Sequence, residues 1–219
     1  MALNKLKYNS LNLTPAANKA IGFDSDADAL EATLSGGSMT FIKKLTASSS
    51  SDLTFHDGTS SVVFDSTYKE YLFTFNNMHP ATDQVDFQFQ VNAAGGADFN
   101  ETITSNYFRT YHTEDDSATT LGYYGSGDLA QGTGFQMLSD DWGNANDESL
   151  SGYLHFFNPS STTFVKHFIG AVQQVHGGDI SWAGYMAGYI NTTSAIDEVR
   201  FKASSGNIDA GDICLYGIN

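Results

Sequence analysis

Residues Val85-Asp86-Phe87-Gln88-Phe89-Gln90-Val91 decide the fold class of this chain, because apolar and polar side chains alternate at every position. Successive side chains of a β-strand point to opposite sides of a sheet. The pattern therefore predicts a strand with one face in a core and with Asp86, Gln88 and Gln90 on a wet face. In a helix the same apolar residues would be spread around the whole circumference.

Further apolar-rich runs lie on both sides of this strand and are separated by turn residues such as Asn158-Pro159 and Gly177-Gly178. The predicted strands are 70–76, 85–91, 107–113, 119–124, 150–157, 163–172, 181–190, 195–202 and 212–218. Parallel pairing needs helical crossovers, for which the connections leave no room. The spacing predicts an all-β, antiparallel sandwich or barrel. Residues 126–147 have weak periodicity and predict a long loop, or two short strands with loops.

The charge balance excludes two classes of partner. The formal net charge is -15, and charged residues make up 16% of the 219 residues, against a usual share of about 25%. Nucleic-acid binding depends on clustered Lys and Arg, and an anionic membrane repels an acidic protein. We therefore expect neither nucleic acid nor membrane as a partner.

Residues 1–50 differ in composition from the rest. They contain half of the ten basic residues, little apolar sequence, and a polar run at Ser48–Ser51 that is typical of a hinge. We expect an extended N-terminal arm over 1–50, with a short helix over Ala27–Thr33 and short strands as the alternatives within it, and a sandwich over 51–219. The opening MALNKLKYNS has no apolar core of signal-peptide length, so synthesis in a cytoplasm-like compartment is expected.

No motif for catalysis or for a metal is complete. The chain has no GxSxG, P-loop or HExxH pattern, and its one cysteine, Cys214, fits a small residue in a terminal strand. Asp24 to Asp28 begin like a calcium loop, but Ala29 and Ser35 replace the required Gly and Glu. We expect no enzyme and no cofactor. An irregular calcium site stays open as an alternative, at these carboxylates or at Asp140, Asp141, Asn144, Asn146 and Asp147.

Aromatic residues beside polar ones form a candidate glycan site. Trp142 follows two aspartates, and Tyr123 and Tyr124 border the Gly125 turn. Sugars stack on exposed rings and hydrogen-bond to Asp or Asn, which makes Tyr123, Tyr124, Asp141 and Trp142 the candidates. The alternative is that these rings pack their loop down or fill a subunit interface.

The C-terminal third resembles the ending of known virion proteins. Residues 193–201, TSAIDEVRF, and 205–218, SGNIDAGDICLYGI, are similar to the ending of jelly-roll structural proteins of tailed, marine-type bacteriophages. The segments 71–83, 85–91 and 151–159 fit the same pattern, so the resemblance covers about residues 52–219. Residues 5–11, KLKYNSL, look like the leaders of such proteins.

The resemblance implies an antiparallel jelly-roll β-sandwich and a structural role in the virion. Such proteins decorate or cement capsids, form head or neck fibres, or lie at fibre tips, commonly as trimers or other small homo-oligomers. The implied partners are the major capsid protein or tail and neck proteins. The arm would attach through Lys5, Lys7, Tyr8, Leu11 and Lys19. Capsid decoration is favoured because the chain has no coiled coil or shaft repeat. The alternative is a fibre or receptor-binding module that recognises a host-surface glycan.

Overall fold

The computed structural model describes residues 20–23, 30–33 and 38–219. The chain divides into two compact units, with the boundary between Ser38 and Met39. In the first unit, β1 (Ala20–Phe23) and β2 (Leu30–Thr33) form an antiparallel pair. The expected helix over Ala27–Thr33 is therefore wrong for its last four residues. An isolated helix of that length is unstable, whereas strand pairing satisfies the backbone groups of Leu30–Thr33.

Several sequence-based assignments fall outside the described residues. These are the attachment residues Lys5, Lys7, Tyr8, Leu11 and Lys19 and the calcium-like run from Asp24 to Asp28. The expected arm boundary at residue 50 lies inside the second unit, since that unit begins at Met39. There the backbone of Ser50 exchanges two hydrogen bonds with Ile208, so the polar run is docked on the sandwich.

The second unit is all-β, as predicted, and every strand pairing in it is antiparallel. Within residues 20–23, 30–33 and 38–219 there is no helix. The strands are β3 (Met39–Thr46), β4 (Leu53–His56), β5 (Glu70–Pro80), β6 (Val85–Ala93), β7 (Ile103–Thr113), β8 (Thr119–Tyr123), β9 (Ala130–Gly132), β10 (Gln136–Trp142), β11 (Leu150–Phe157), β12 (Lys166–His176), β13 (Ile180–Ile190), β14 (Ile196–Ala203) and β15 (Ile208–Ile218). Residues 126–147 thus form two strands with loops.

The strands form two layers. The long sheet has the order β3-β15-β5-β11-β12-β13-β7-β8, with β9 on the free end of β7, and the short sheet has the order β10-β6-β14-β4. One pairing, Trp142 with His176, joins β10 to β12 and makes the two sheets nearly continuous. The architecture is an antiparallel, barrel-like sandwich.

Aromatic rings fill the space between the layers. Phe75 of the long sheet packs edge-on against Phe87 of the short sheet, and Phe168 packs in the same way against Phe89, with ring centroids 5.2 and 5.1 Å apart. Phe201 contacts several of these rings. Edge-to-face pairs each add about 0.5–1.5 kcal/mol beyond the area they bury. The alternating pattern of residues 85–91 therefore supplies one wall of this core.

The outer face of the short sheet is drier than its polar residues suggest. Gln90, predicted to face water, is fully buried, and its amide nitrogen donates to the carbonyls of Glu101 (3.0 Å) and Gly134 (2.8 Å). The prediction is wrong for this residue because loops before β7 and before β10 fold over the sheet. Asp86 and Gln88 are partly buried. Burial raises the pKa of Asp86, with a smaller contribution from Asp140.

Candidate functional site

Trp142 is not part of a surface platform. It is the last residue of β10, is fully buried, and packs against Phe87 with ring centroids 5.3 Å apart. The expectation that it stacks on a sugar from a loop is therefore wrong. A buried indole contributes to the core by the area it removes from water.

Of the other three candidate glycan residues, Tyr123 and Tyr124 line one small depression of about 160 Å³, which Asp141 does not line. Tyr123 is 65% exposed and its hydroxyl donates to Asp128. Tyr124 turns inward, where the guanidinium carbon of Arg109 lies 3.8 Å from its ring centroid. Burial, followed by a hydrogen bond with Asp140, raises the pKa of Tyr124 to about 12. The Asp141 carboxylate lies 3.4 Å from His176. The four residues share no single surface.

The carboxylates between residues 140 and 148, one of the two expected calcium sites, are also dispersed. Asp140 forms an ion pair with Arg109 at 2.9 Å, and the Glu148 carboxylate accepts the backbone N–H of Ala145 at 2.6 Å. Across the described ranges, no three His, Cys, Asp or Glu side chains gather in a group that could hold a metal ion. The acidic loop is thus held by local hydrogen bonds.

The outer face of the long sheet is the largest feature with functional potential. Five adjacent strands, β11, β12, β13, β7 and β8, present outward residues without a single Asp, Glu, Lys or Arg, and we name this surface the uncharged face. Its residues are Ser151, Tyr153, His155, Phe157, His167, Ile169, Ala171, Gln173, Val175, Ser181, Ala183, Tyr185, Ala187, Tyr189, Thr104, Asn106, Phe108, Thr110, His112, Thr119, Leu121 and Tyr123.

An aromatic row crosses the middle of the uncharged face. Strand register aligns Tyr153, Ala171, Tyr185, Phe108 and Tyr123 side by side. Tyr185 and Phe108 stack with centroids 4.9 Å apart and planes 11° from parallel. Both rings are about 40% exposed, so the row is available for contact.

Small side chains and a polar margin surround this row. A depression of about 600 Å³ lies between Leu121, Ala183 and Thr110. The charges that contact the face come from residues outside it: Glu70 contacts His155 at 2.9 Å, Asp116 contacts His112 at 2.9 Å, and Asp128 accepts the hydroxyl of Tyr123. An apolar centre with a polar rim is the usual anatomy of a protein interface.

A second feature, which we name the Arg200 cleft, lies on the outer face of the short sheet. It is an open cleft of about 530 Å³, and its charged and aromatic lining residues are Asp52, Asp98, Phe99, Phe135, Arg200 and Lys202. The guanidinium carbon of Arg200 lies 3.7 Å from the Phe99 ring centroid, and the Lys202 ammonium lies 4.8 Å from that of Phe135. The loops that cover Gln90 supply both phenylalanines.

Both surfaces were missed from the sequence, although each left a signal. The runs 150–157, 167–175 and 181–189 contain no Asp, Glu, Lys or Arg, although the chain has 25 acidic residues. If these runs are neighbouring strands, they form a sheet face without charge. Arg200 and Lys202 alternate with buried Val199 and Phe201, so they share one face of β14. The covering phenylalanines depend on loop placement and gave no local signal.

No protein-family model, no curated protein and no solved structure matches this chain. In the part of the chain that the structure covers, no helix is long and apolar enough to cross a membrane. The uncharged face, the Arg200 cleft and the resemblance of the C-terminal third are therefore the observations from which a function can be inferred.

Proposed function

We propose that this protein is a non-enzymatic structural subunit of a tailed-phage virion. In this proposal its jelly-roll sandwich self-associates through the uncharged face, and its N-terminal segment attaches it to the particle. The uncharged face is the observation that carries the proposal. Capsid decoration or cementing is preferred to a fibre role, with the major capsid protein or a tail or neck protein as the attachment partner.

The net charge of the chain favours a second copy of the same chain as the partner that binds the uncharged face. Each copy has a formal net charge of -15, so two copies repel one another over most of their surface. A two-fold contact brings a patch against its own image, which places any charge near its like, whereas the head-to-tail contact of a trimer joins two different patches of two equally acidic copies. In either contact, a face without Asp, Glu, Lys or Arg adds no like-charge repulsion of its own.

The size of the uncharged face also fits an assembly interface. Five strands spaced about 4.8 Å apart are roughly 24 Å wide, and nine residues of strand are roughly 30 Å long. The product, about 700 Å², is close to the roughly 800 Å² that each partner contributes to a stable interface. The resemblance favours a trimer among the homo-oligomers.

The alternative function is a receptor-binding fibre tip that stacks a glycan on Trp142. Trp142 is buried in the core, so it cannot stack on a glycan at the surface. Tyr123 alone remains exposed among the aromatic candidates. The structural role is therefore the better supported of the two.

The oligomeric state of purified full-length protein tests the proposal. Native mass spectrometry should find an oligomer of the wild type at micromolar concentration, and Phe108→Glu should weaken association at least about tenfold, because a desolvated charge is costly at an interface. Phe164→Glu is the matched control, since Phe164 is 69% exposed and lies outside the uncharged face. A monomeric wild type would contradict self-association, and equal loss in both variants would contradict its location on the uncharged face.

Locating the chain in purified particles tests the virion part separately. Immunogold labelling should decorate the heads at many sites. Labelling confined to tail tips would favour the fibre alternative, and its absence from particles would exclude a virion role.

A further inference from the structure

Arg200 and Lys202 line one cleft, whereas three other basic groups of the sandwich are engaged elsewhere. Lys166 is fully buried on two backbone carbonyls, Arg109 pairs with Asp140, and Lys44 pairs with Asp212. Arg200 and Lys202 are two residues apart on the outward side of β14, which places them about 7 Å from one another. They form a local cationic pair in an acidic protein.

Both cations have unused hydrogen-bonding groups. Arg200 donates from Nε to Thr54 (3.0 Å), and Asp52 lies 3.6 Å from the same nitrogen. Among residues 38–219, no hydrogen bond or ion pair engages the terminal nitrogens of Arg200 or the ammonium of Lys202. A free guanidinium fork binds a carboxylate through two parallel hydrogen bonds.

The aromatic rings hold the cations in place and add an apolar wall. Phe99 lies under Arg200 and Phe135 lies beside Lys202, so each side chain has lost part of its freedom before a ligand arrives. Ring edges that line the cleft can contact the C–H faces of a sugar.

The acidic residues narrow the class of ligand. Asp52 and Asp98 line the same cleft. Two carboxylates repel a polyanion such as a nucleic acid, yet they are suitable acceptors for hydroxyl groups. A ligand with one carboxylate and several hydroxyls uses all of these groups, and a volume of about 530 Å³ is within the usual range for a small-molecule site.

We infer that the Arg200 cleft binds a carboxylate-bearing sugar, such as a uronic or sialic acid residue of a surface polysaccharide. Arg200 and Lys202 hold the carboxylate, the phenylalanines contact the ring, and the aspartates accept hydroxyls. This inference does not depend on self-association or on a virion role.

Isothermal titration calorimetry of the full chain with glucuronate, galacturonate and N-acetylneuraminate tests it. At least one acid sugar should bind, and glucose should bind at least about tenfold more weakly because it lacks the carboxylate. Lys202→Gln and Arg200→Gln should each weaken binding about tenfold. Lys69→Gln, which makes the same charge change at an exposed site, should leave affinity unchanged.

The opposite results would overturn the assignment. They are no binding of any of the three acid sugars, equal binding of glucose, or equal loss in Lys69→Gln. Equally tight binding of inorganic phosphate or of the peptide acetyl-Glu-Glu-amide would indicate a general anion site or a peptide site instead. If Arg200→Gln does not fold, Lys202→Gln decides the outcome, since among residues 38–219 its ammonium has no hydrogen-bond or ion-pair partner to lose and contacts only the Phe135 ring.

Discussion

The phenol of Tyr107 on β7 donates a 3.0 Å hydrogen bond to the backbone carbonyl of Leu138 on β10, and this bond connects the long sheet to the short sheet through the interior. Both residues are fully buried. Burial raises the pKa of Tyr107 far above its ordinary value, so the hydroxyl remains a donor at any pH at which the fold is used. Here a buried polar contact joins two layers whose facing residues are mainly apolar.

Replacing Tyr107 by Phe should destabilise the sandwich by about 1–3 kcal/mol, because the Leu138 carbonyl loses its donor in a dry environment. Urea unfolding followed by circular dichroism measures the change. Tyr153→Phe is the control, since Tyr153 is 42% exposed and a surface hydroxyl contributes within about 0.5 kcal/mol. Equal unfolding midpoints for the two variants would show that the Tyr107 bond contributes nothing.

Gly184 leaves the space that the Tyr107 hydroxyl occupies. A Cβ atom built on Gly184 would lie 1.9 Å from Tyr107 Oη and 2.5 Å from the Trp182 ring. Gly184→Ala should therefore destabilise the fold by about 1–3 kcal/mol or more through overpacking. Gly122→Ala is the control, because a Cβ there meets nothing within 4 Å. The double variant with Tyr107→Phe should lose less than the sum of the single variants, and strict additivity would argue against the clash.

The strands were predictable where one face is apolar throughout. In β6, β11 and β14 the inward residues are almost all hydrophobic, so local alternation alone locates the strand. For residues 126–147 the sequence left a loop and two short strands as alternatives, because the inward residues of β10 include Gln136 and Asp140, which interrupt the apolar period. Their partners, Ser105 at 2.6 Å and Arg109 at 2.9 Å, come from β7. Such partners are set by tertiary contacts, which sequence periodicity does not report.

The candidate surfaces were harder to predict for a related reason. Whether Gln90 faces water depends on two loops from distant parts of the chain, and the same loops carry Phe99 and Phe135 to β14. To predict the uncharged face, one must know the order of five strands in the sheet, and the alternation within each strand does not give that order. Local patterns therefore predicted the two layers, whereas predicting the surfaces needs the sheet topology.

Trp142→Ala should act on stability. Truncating this fully buried indole removes a core contact with Phe87 and should cost about 3–5 kcal/mol. Tyr123→Ala is the matched aromatic change at a 65% exposed position and should stay within about 0.5 kcal/mol. Thermal unfolding of both variants measures the difference. A Trp142→Ala protein as stable as the wild type would mean that the indole is not a core residue.

Stability should decline above neutral pH through two histidines. A hydrogen bond with Glu198 at 2.5 Å is the main cause that raises the pKa of His56 above 6.5, and burial opposes it. Burial lowers the pKa of His79, but hydrogen bonds with Asp209 and the Ala145 carbonyl outweigh it, so that pKa is also raised. Groups with raised pKa values stabilise the fold fully below pH 6.5 and lose that contribution as pH rises through the folded-state value.

Glu198, the partner of His56, determines how far the pH can fall before this contribution to stability is lost. Burial acts to raise the pKa of Glu198, but hydrogen bonds from His56 and Asn92 lower it, so its contribution is lost only as pH falls below 4.5 and through the lowered value. Between pH 6.5 and about 8, His56→Gln should reduce the decline in the free energy of unfolding. The expected difference is a few tenths of a kcal/mol, because the imidazole is half exposed. Glu198→Gln should reduce the decline over the same pH range. An unchanged slope in both variants would exclude the pair as its cause.

Truncation after residue 38 should separate the sandwich from the N-terminal unit, for which attachment is proposed. Removing residues 1–38 leaves β3, which pairs with β15 from Met39–Ile218 to Thr46–Asp212, so the unfolding midpoint should match that of the full chain. Removing residues 1–46 also deletes β3, exposes the edge of β15, and should cause aggregation or a lower midpoint. Circular dichroism and light scattering distinguish the two products. If the sandwich carries the fold and the first unit carries attachment, the 1–38 deletion should be folded yet absent from purified particles. Its presence there at full occupancy would assign attachment to the sandwich.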